Sequence, residues 1–352
     1  MGTRPVWRLL SRLESWALEE EIENQSISKP IYVTGIARSG TTIVTELIAK
    51  SPQITSHQYG DFPGMFTPYW RNWLNQRSSV STPKSVERAH MDRITVSNKS
   101  PEAFEEVLWM TFDSALHNKK PITRIDPGGA PMDFLPFYRA HLKKLLLVRN
   151  RSRYLAKGNY NLLRLPWLHQ HMDNPRIVLM TRNPIWHVAS LMKQHKLFLA
   201  AQQHDSRTGR QLAASGHFEF GPLRRAPAYL GLEAQQTVTD LWAEGEEVRG
   251  WARLWAQGYT LALKYLADPQ LASQILLVRY EDLCREPDST IAAIAEHCQL
   301  DDLGPIAQQY ASKLSPPDYY QPDFSGQELS MIASEVDETA AALGYEPVPQ
   351  ST

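Results

Sequence analysis

The chain has 352 residues, of which 42% are hydrophobic and 21% are charged. This length and composition allow a large buried core and favour a single domain over residues 1–352. The formal net charge of −1 gives no strong field for polyanions. The charge balance therefore argues against a nucleic-acid partner.

Residues 1–28 are predicted to form an N-terminal helical extension. Within it, residues 7–22 have an amphipathic pattern, with no apolar run near the roughly 18 residues of a membrane span and no signal-peptide core. The acidic residues 19–21 disfavour a membrane surface, so we expect the extension to pack against the domain. The lack of a transmembrane segment predicts a cytoplasmic location.

A glycine-bounded loop, residues 35–42 (GIARSGTT), lies between an apolar run at 30–34 and a helical pattern at 43–49. A strand, a loop and a helix in this order place backbone N–H groups where they bind a phosphate-like anion. In the P-loop of kinases and NTPases, a lysine stands at the position that Thr41 occupies here. The cation of this loop is instead Arg38, which argues against those enzymes.

The loop resembles the 5′-phosphosulfate loop of the sulfotransferases that use 3′-phosphoadenosine-5′-phosphosulfate (PAPS). The resemblance implies that Arg38 binds the 5′-phosphate and the oxygen that bridges to sulfur. It also implies anion contacts from the remaining polar positions of the loop, which are Ser39, Gly40, Thr41 and Thr42.

A second strand is predicted at 53–57. In the protein-tyrosine and heparan branches of the family, a glutamate just past this strand is the catalytic base. Here the groups able to accept a proton in that neighbourhood are Asp61 and His57. Asp61 is the favoured base and His57 the alternative.

Residues 62–110, rich in aromatic side chains, suit either a wall over a polar acceptor or helix packing.

A third strand, at 153–156, is followed by Lys157. The resemblance implies that this lysine neutralises charge on the departing phosphate oxygen. The cytosolic small-molecule branch has a catalytic histidine two residues later, where this chain has Asn159. An amide takes no proton at neutral pH, so the resemblance is nearer to the protein-tyrosine and heparan branches.

A fourth strand is predicted at 176–181, and Asn183 with Pro184 reads as the start of a helix. Arg182 then lies at the carboxyl end of a strand, and Ser190 on the helix that follows. A guanidinium forks two hydrogen bonds onto a phosphate, and a hydroxyl adds a third. The resemblance implies that Arg182 and Ser190 hold the 3′-phosphate.

Residues 195–270 leave the alternation of strands and helices and are predicted to form a helical insertion, a candidate lid or acceptor region. A continuous helical pattern runs over 238–266 and carries Trp251, Trp255 and Tyr259 as a core stripe. His217 and Glu219 lie in a loop of this insertion. They are candidate acceptor contacts, but the sequence gives no geometry for them.

A fifth strand at 274–278 precedes Glu281 and Asp282, which are predicted to open a helix. Each strand is followed by polar residues at its carboxyl end, where open parallel sheets bind ligands. The pattern predicts an α/β protein with a P-loop-type three-layer αβα fold and a central, mostly parallel sheet. Cys284 and Cys298 are predicted to be free thiols.

These features predict a PAPS-dependent sulfotransferase that moves a sulfuryl group to a hydroxyl or amine acceptor, a glycan or another small polar molecule, and releases 3′-phosphoadenosine-5′-phosphate (PAP). No metal is expected, because lysine and arginine take the place of magnesium. The alternatives are a P-loop kinase or NTPase and a non-catalytic PAP-binding protein. The acceptor and the oligomeric state are left open.

Overall fold

A computed structural model of the chain describes residues 4–77, 86–87, 95–113, 115–117, 121–304, 306, 310, 314 and 321–349. Within these residues, seven strands and fifteen α-helices have defined bounds, besides three short 3₁₀ helices. The strands are β1 (Ile31–Thr34), β2 (Ile54–Thr55), β3 (Val86–Glu87), β4 (Thr95–Val96), β5 (Arg153–Lys157), β6 (Arg176–Thr181) and β7 (Ile275–Arg279). The helices are α1 (Arg4–Ala17), α2 (Glu19–Asn24), α3 (Thr41–Ile48), α4 (Pro68–Arg77), α5 (Glu105–Phe112), α6 (Phe134–Arg149), α7 (Leu165–His171), α8 (Pro184–His204), α9 (Thr208–Ala214), α10 (Leu232–Ala243), α11 (Glu247–Ala267), α12 (Pro269–Ala272), α13 (Tyr280–Arg285), α14 (Pro287–Cys298) and α15 (Gly326–Ala342).

Five strands form a parallel sheet in the order β2-β5-β1-β6-β7. The α/β fold and the parallel sheet predicted from the sequence are confirmed. β2 is shorter than predicted and ends at Thr55, so residues 56–61 lie beyond the sheet. β3 and β4 pair separately as a small antiparallel ribbon.

The sheet separates two hydrophobic cores because side chains alternate along each strand. Ile31 and Val33 of β1 face one core, which also contains residues of α3 and α14. Tyr32 faces the other core, which contains residues of α6, α7, α8, α11 and α15. Helices therefore cover both faces of the sheet, as the predicted three-layer architecture requires.

The predicted insertion, residues 195–270, begins inside α8, which continues to His204. The helical pattern at 238–266 is divided into α10 and α11, because Gly245 between them has a positive φ of 85° that a continuing helix does not allow. Trp251, Trp255 and Tyr259 are buried core residues, as predicted. Cys284 and Cys298 are free thiols.

The N-terminal extension contains two helices, α1 and α2, and α1 packs against the domain. Trp7 stacks on Phe66 with ring centroids 5.6 Å apart. Glu14 and Lys144 form an ion pair of 2.8 Å whose two side chains are completely buried. Among the helices described above, none combines the length and the hydrophobicity that a bilayer crossing requires.

Lys144→Met is expected to lower the free energy of unfolding by about 3–5 kcal/mol, because it leaves the Glu14 carboxylate buried without its cation. Urea unfolding measures this loss. The double variant Glu14→Gln with Lys144→Met removes both charges and should recover part of the stability. A single variant that unfolds at the urea concentration of the unchanged protein would contradict the importance of this pair.

Candidate active site

The loop between β1 and α3 is shaped by residues with positive φ. The φ angle is 148° at Gly35, 74° at Arg38 and 98° at Gly40. A β-carbon at Gly40 would lie 2.6 Å from the Tyr280 ring, so the loop passes close to α13. Only glycine, which has no β-carbon, allows the backbone at position 40 to come this close to Tyr280.

Gly35→Ala is expected to destabilise the fold by about 2 kcal/mol or more, because the φ of this residue disfavours a β-carbon. The new atom would also lie 2.4 Å from the Met180 carbonyl oxygen, a backbone atom of β6. Gly128→Ala is the matched control, since a β-carbon there meets no atom within 4 Å. Equal urea midpoints for the two variants would contradict the close packing of the loop on β6.

Arg38, Arg182 and Ser190 lie together beside this loop. The Arg38 Nε donates to Ser190 Oγ at 3.2 Å, and an Arg182 Nη donates to the Arg38 carbonyl oxygen at 3.3 Å. The Arg182 guanidinium also lies over the Tyr280 ring, 5.2 Å from its centroid. Two cations and a hydroxyl from β1–α3 and β6–α8 therefore form one polar cluster.

The start of α8 is fixed against the loop. The Asn183 side chain accepts from the N–H groups of Ile185 and Trp186, which caps the helix as the sequence predicts. One turn later, the His187 ring hydrogen-bonds to the Ala37 carbonyl oxygen at 2.8 Å. Burial lowers the pKa of His187 to about 3. This histidine is therefore a neutral donor that ties α8 to the loop.

Lys157, at the end of β5, connects to the same loop from the other side of β1. Its Nζ donates to Thr42 Oγ1 at 3.3 Å and lies 3.4 Å from an oxygen of Glu102. Burial alone would raise the pKa of Glu102. The charges of Lys157 and His217, with hydrogen bonds from Tyr59 and the Ala103 N–H, instead lower it to about 2. Glu102 is therefore an ionised partner that orients the lysine.

His217 and Glu219 reach this side of the site from the loop after α9. The His217 Nδ1 lies 3.7 Å from a Glu219 oxygen, and the Asn159 amide donates to the other Glu219 oxygen at 2.9 Å. Burial alone would lower the pKa of His217, but the hydrogen bond and charge of Glu219, aided by Glu102, raise it. The His217 side chain is still 31% exposed, so a ligand can reach its ring.

Asp61 and His57 belong to a buried cluster around Arg149 and His141. Both Asp61 oxygens accept from an Arg149 Nη, at 2.6 and 2.8 Å, and one also accepts from the Gln58 N–H. Asp61 lies in a short 3₁₀ helix, Tyr59–Asp61, beyond the end of β2. Its carboxylate is therefore held by Arg149, which is the last residue of α6.

The His57 ring stacks on His141, with centroids 5.0 Å apart and an Nε2–Nε2 distance of 3.2 Å. Burial lowers the pKa of His57 to about 4, although the Asp61 charge opposes this. The Glu102 N–H donates to the His57 carbonyl oxygen at 2.9 Å, so this cluster adjoins the carboxylate partner of Lys157. The side chains of Asp61 and His57 themselves contact Arg149 and His141.

Three residues near Lys157 were not among the site residues predicted from the sequence. Glu102 follows a proline in a segment without strand or helix periodicity, so it carries no local signal. His217 and Glu219 were candidates for acceptor contact only. Among the described residues, no group of histidine, cysteine or carboxylate side chains is arranged to hold a metal ion. Metal-independent chemistry stays a prediction.

Comparison with known proteins identifies the family. A model of the sulfotransferase family matches residues 30–217, more than half of the chain. The chain therefore belongs to the sulfotransferase family. The matched range contains the loop at 35–42, Lys157, Arg182 and Ser190. No curated protein sequence matches the chain closely enough to count as a relative.

Solved structures support the fold. The sulfotransferase STF9 from Mycobacterium avium superposes with a TM-score of 0.54 and 10% identity, over 96% of this chain and 83% of that chain. The sulfotransferase STF1 from Mycobacterium tuberculosis H37Rv gives 0.50 and 18%, over 94% and 83%. At these identities, the likeness shows the shared fold alone.

Proposed function

We propose that the protein is a PAPS-dependent sulfotransferase that transfers a sulfuryl group to a hydroxyl or amine acceptor. The observation that carries this proposal is the meeting of three distant segments. The Arg38 side chain donates to Ser190 at 3.2 Å, and the Arg38 carbonyl oxygen accepts from Arg182 at 3.3 Å. Lys157 donates to Thr42 at 3.3 Å. Each residue was predicted, from its own motif, to bind part of one ligand.

The residues of this cluster suit a ligand with two separate phosphate groups. Arg182 and Ser190 supply a forked cation and a hydroxyl for a 3′-phosphate. The loop supplies the backbone N–H groups of Gly40 and Thr41 at the start of α3, with the Thr42 hydroxyl, for the 5′ group. The Ser39 N–H instead donates to the Ile36 carbonyl oxygen at 3.2 Å. Gly35 and Gly40 let the loop pack closely on Met180 and on Tyr280, which fixes the position of these groups.

PAPS supplies the sulfuryl group and, after transfer, leaves as PAP. The bond between sulfur and the bridging oxygen breaks while a bond from the acceptor oxygen or nitrogen to sulfur forms. Arg38 and Lys157 offset the negative charge that develops on the bridging oxygen. The Glu102 carboxylate lies 3.4 Å from the Lys157 ammonium and keeps it near Thr42. The rest of the rate acceleration comes from positioning.

His217 is the base in this mechanism, in place of Asp61 or His57. Asp61 is engaged by Arg149, and the pKa of His57 is about 4, so neither suits proton removal near neutral pH. His217 lies beside Lys157 and Glu102, keeps an exposed ring, and has Glu219 on its Nδ1 side. Its Nε2 accepts the acceptor proton, and Glu219 stabilises the imidazolium that forms.

The identity of the base bears on the family branch. The likeness to the protein-tyrosine and heparan branches rests on Asn159, in place of the histidine of the small-molecule branch, and on a carboxylate base near Asp61. With His217 as base, the second of these grounds no longer applies, and the branch stays a prediction. A cytoplasmic location and a glycan or other small polar acceptor also stay predictions, which cell fractionation and an acceptor screen with labelled PAPS would test.

Thermal stabilisation by PAP tests the cofactor site. A ligand at a hundredfold excess over Kd stabilises the native state by about 2.7 kcal/mol. We expect PAP to raise the Tm more than ADP does, because ADP lacks the 3′-phosphate. Arg182→Ala should abolish this difference, while Arg124→Ala, a control at an exposed arginine paired with Asp126, should keep it. Stabilisation by ATP-magnesium alone would instead favour a kinase or NTPase.

A further inference from the structure

The loop that carries His217 and Glu219 rests on α5 through a glycine. Gly216 has a positive φ of 82°, and a β-carbon there would lie 2.7 Å from the β-carbon of Glu106, in the first turn of α5. Because the β-carbon of Glu106 is fixed by the backbone of its helix, only glycine fits at this contact. The backbone directly before His217 is therefore held against α5.

Phe218, on the other side of His217, is held by two buried aromatic residues. Its ring stacks on the ring of His117, with centroids 4.3 Å apart and planes 5° from parallel. Its N–H donates to the Tyr160 hydroxyl at 3.2 Å, and its carbonyl oxygen accepts from the Arg225 N–H at 2.8 Å. Both sequence neighbours of His217 are therefore anchored to the body of the domain.

The ring of His117 is itself oriented by a buried network of charges. Its Nε2 lies 2.7 Å from one Glu106 oxygen, and an Arg164 Nη lies 2.7 Å from the other. Burial alone would raise the pKa of Glu106, but the charge of Arg164, with the hydrogen bond from His117, lowers it to about 2. An ionised carboxylate only accepts hydrogen bonds, so His117 donates from Nε2. This bond fixes the ring that stacks on Phe218.

A short 3₁₀ helix after β5, Asn159–Arg164, ties the same loop to the end of that strand. Its first residue donates to Glu219 at 2.9 Å, and its last residue forms the ion pair with Glu106. Because β5 ends at Lys157, two residues before this helix, the network links the position of the His217 loop to that of the lysine.

We propose that His117 and Glu106 are positioning residues for His217. They hold both of its sequence neighbours and so keep its imidazole beside Glu219. The proposal rests on the proposed function, in which His217 is the base. A base acts only within hydrogen-bond reach of the proton that it removes, and a misplacement of about 1 Å costs about 10²-fold in rate. The loop around His217 is irregular, so contacts with its neighbours set the place of the ring.

Gly216→Ala tests the contact with α5, and Gly245→Ala is its matched control. The two glycines have nearly the same positive φ, 82° and 85°, but a β-carbon at Gly245 meets no atom within 4 Å. We expect Gly216→Ala to lower kcat by about ten- to a hundredfold. The KM for PAPS should change far less, because the substitution displaces the base and not the cofactor site. Equal kcat values for the two variants would overturn the proposal.

Two substitutions of His117 test the ring contact with Phe218. His117→Leu removes the ring and should lower kcat as Gly216→Ala does. His117→Phe keeps a flat ring against Phe218 and should recover part of that loss, although it no longer donates to Glu106. Circular dichroism confirms that each variant is folded. If His117→Leu kept full kcat, or if His117→Phe recovered none of the loss, the ring would not position the base.

An NMR titration of the His217 ring measures its position without turnover. Burial and Lys157 lower the pKa of this ring, but Glu219 and Glu102 raise it above the ordinary value. In Gly216→Ala and His117→Leu the pKa should fall, because the ring moves away from Glu219, whereas Gly245→Ala should leave it unchanged. His217→Gln assigns the signal, which it removes.

The titration also separates a failure of this proposal from a failure of the proposed function. An unchanged pKa of His217 in both Gly216→Ala and His117→Leu would overturn the positioning role, whatever the activity of the chain. If the pKa fell as expected and the unchanged chain transferred no sulfate, the proposed function would fail and the positioning of His217 would stand.

Discussion

Lys157→Ala is expected to lower kcat by about 10²–10³, equivalent to about 2.7–4 kcal/mol of transition-state stabilisation. The lysine contacts Thr42 of the loop and Glu102, and in the proposed mechanism its charge stabilises the bridging oxygen. Because this charge acts mainly as the bond to sulfur breaks, PAP affinity should fall far less than kcat. Steady-state kinetics with PAPS and calorimetry with PAP separate the two effects.

The matched control for this prediction is Lys50→Ala, which removes an exposed lysine just after α3. Its kcat should equal that of the unchanged chain. If Lys157→Ala kept full kcat and lost only PAP affinity, the lysine would be a binding residue. The mechanism proposed for the bridging oxygen would then be wrong.

His217→Gln is expected to lower kcat by about 10²–10⁴, the usual contribution of a general base. A base acts in its deprotonated form, so kcat/KM of the unchanged chain should rise with pH through the pKa of His217. Glu219 raises that pKa, and the increase in kcat/KM should therefore occur at a higher pH than for an ordinary histidine. The pH profile of kcat/KM measures this increase, which forms the acid limb of the profile. His217→Gln should abolish the acid limb.

Glu219→Gln tests the effect of the Glu219 carboxylate on the pKa of His217. Removing the carboxylate charge lowers the pKa of His217, so the acid limb should move to lower pH while kcat on the plateau falls. A purely structural role would lower activity equally at all pH values. The conservative change Glu219→Asp should restore part of the shift. If Asp61→Asn abolished the acid limb of the kcat/KM profile and Glu219→Gln left that limb unchanged, the base would be Asp61 and not His217.

The sheet and the candidate anion-binding residues could be predicted because each has a local signal. Arg38, Lys157 and Arg182 each lie at or just after the end of an apolar strand of their own, and the carboxyl ends of parallel strands lie at the same edge of the sheet. Their proximity in space therefore follows from the strand pattern. Ser190 could be added because it lies on the helix that begins directly after Arg182.

The residues beside Lys157 on the proposed acceptor side have no local sequence signal of this kind. Glu102 and His217 come from irregular segments, and tertiary packing alone brings them beside Lys157. The position of Asp61 after the second strand makes it a candidate base. The local sequence gives no sign of Arg149, which lies 88 residues later and donates to both of its oxygens. Partners at such separations are not encoded in a local pattern.

Transfer of labelled sulfate from PAPS is the most direct measurement of the proposed activity. The purified chain is incubated with sulfur-labelled PAPS, without added metal, and with a panel of phenols, sugars and amines. PAP release and labelled acceptor are then quantified. We predict that both appear in equal amounts, and that Lys157→Ala and His217→Gln reduce them. Tight PAP binding without release of PAP or transfer to any acceptor would mean a non-catalytic PAP-binding protein and would contradict the mechanism.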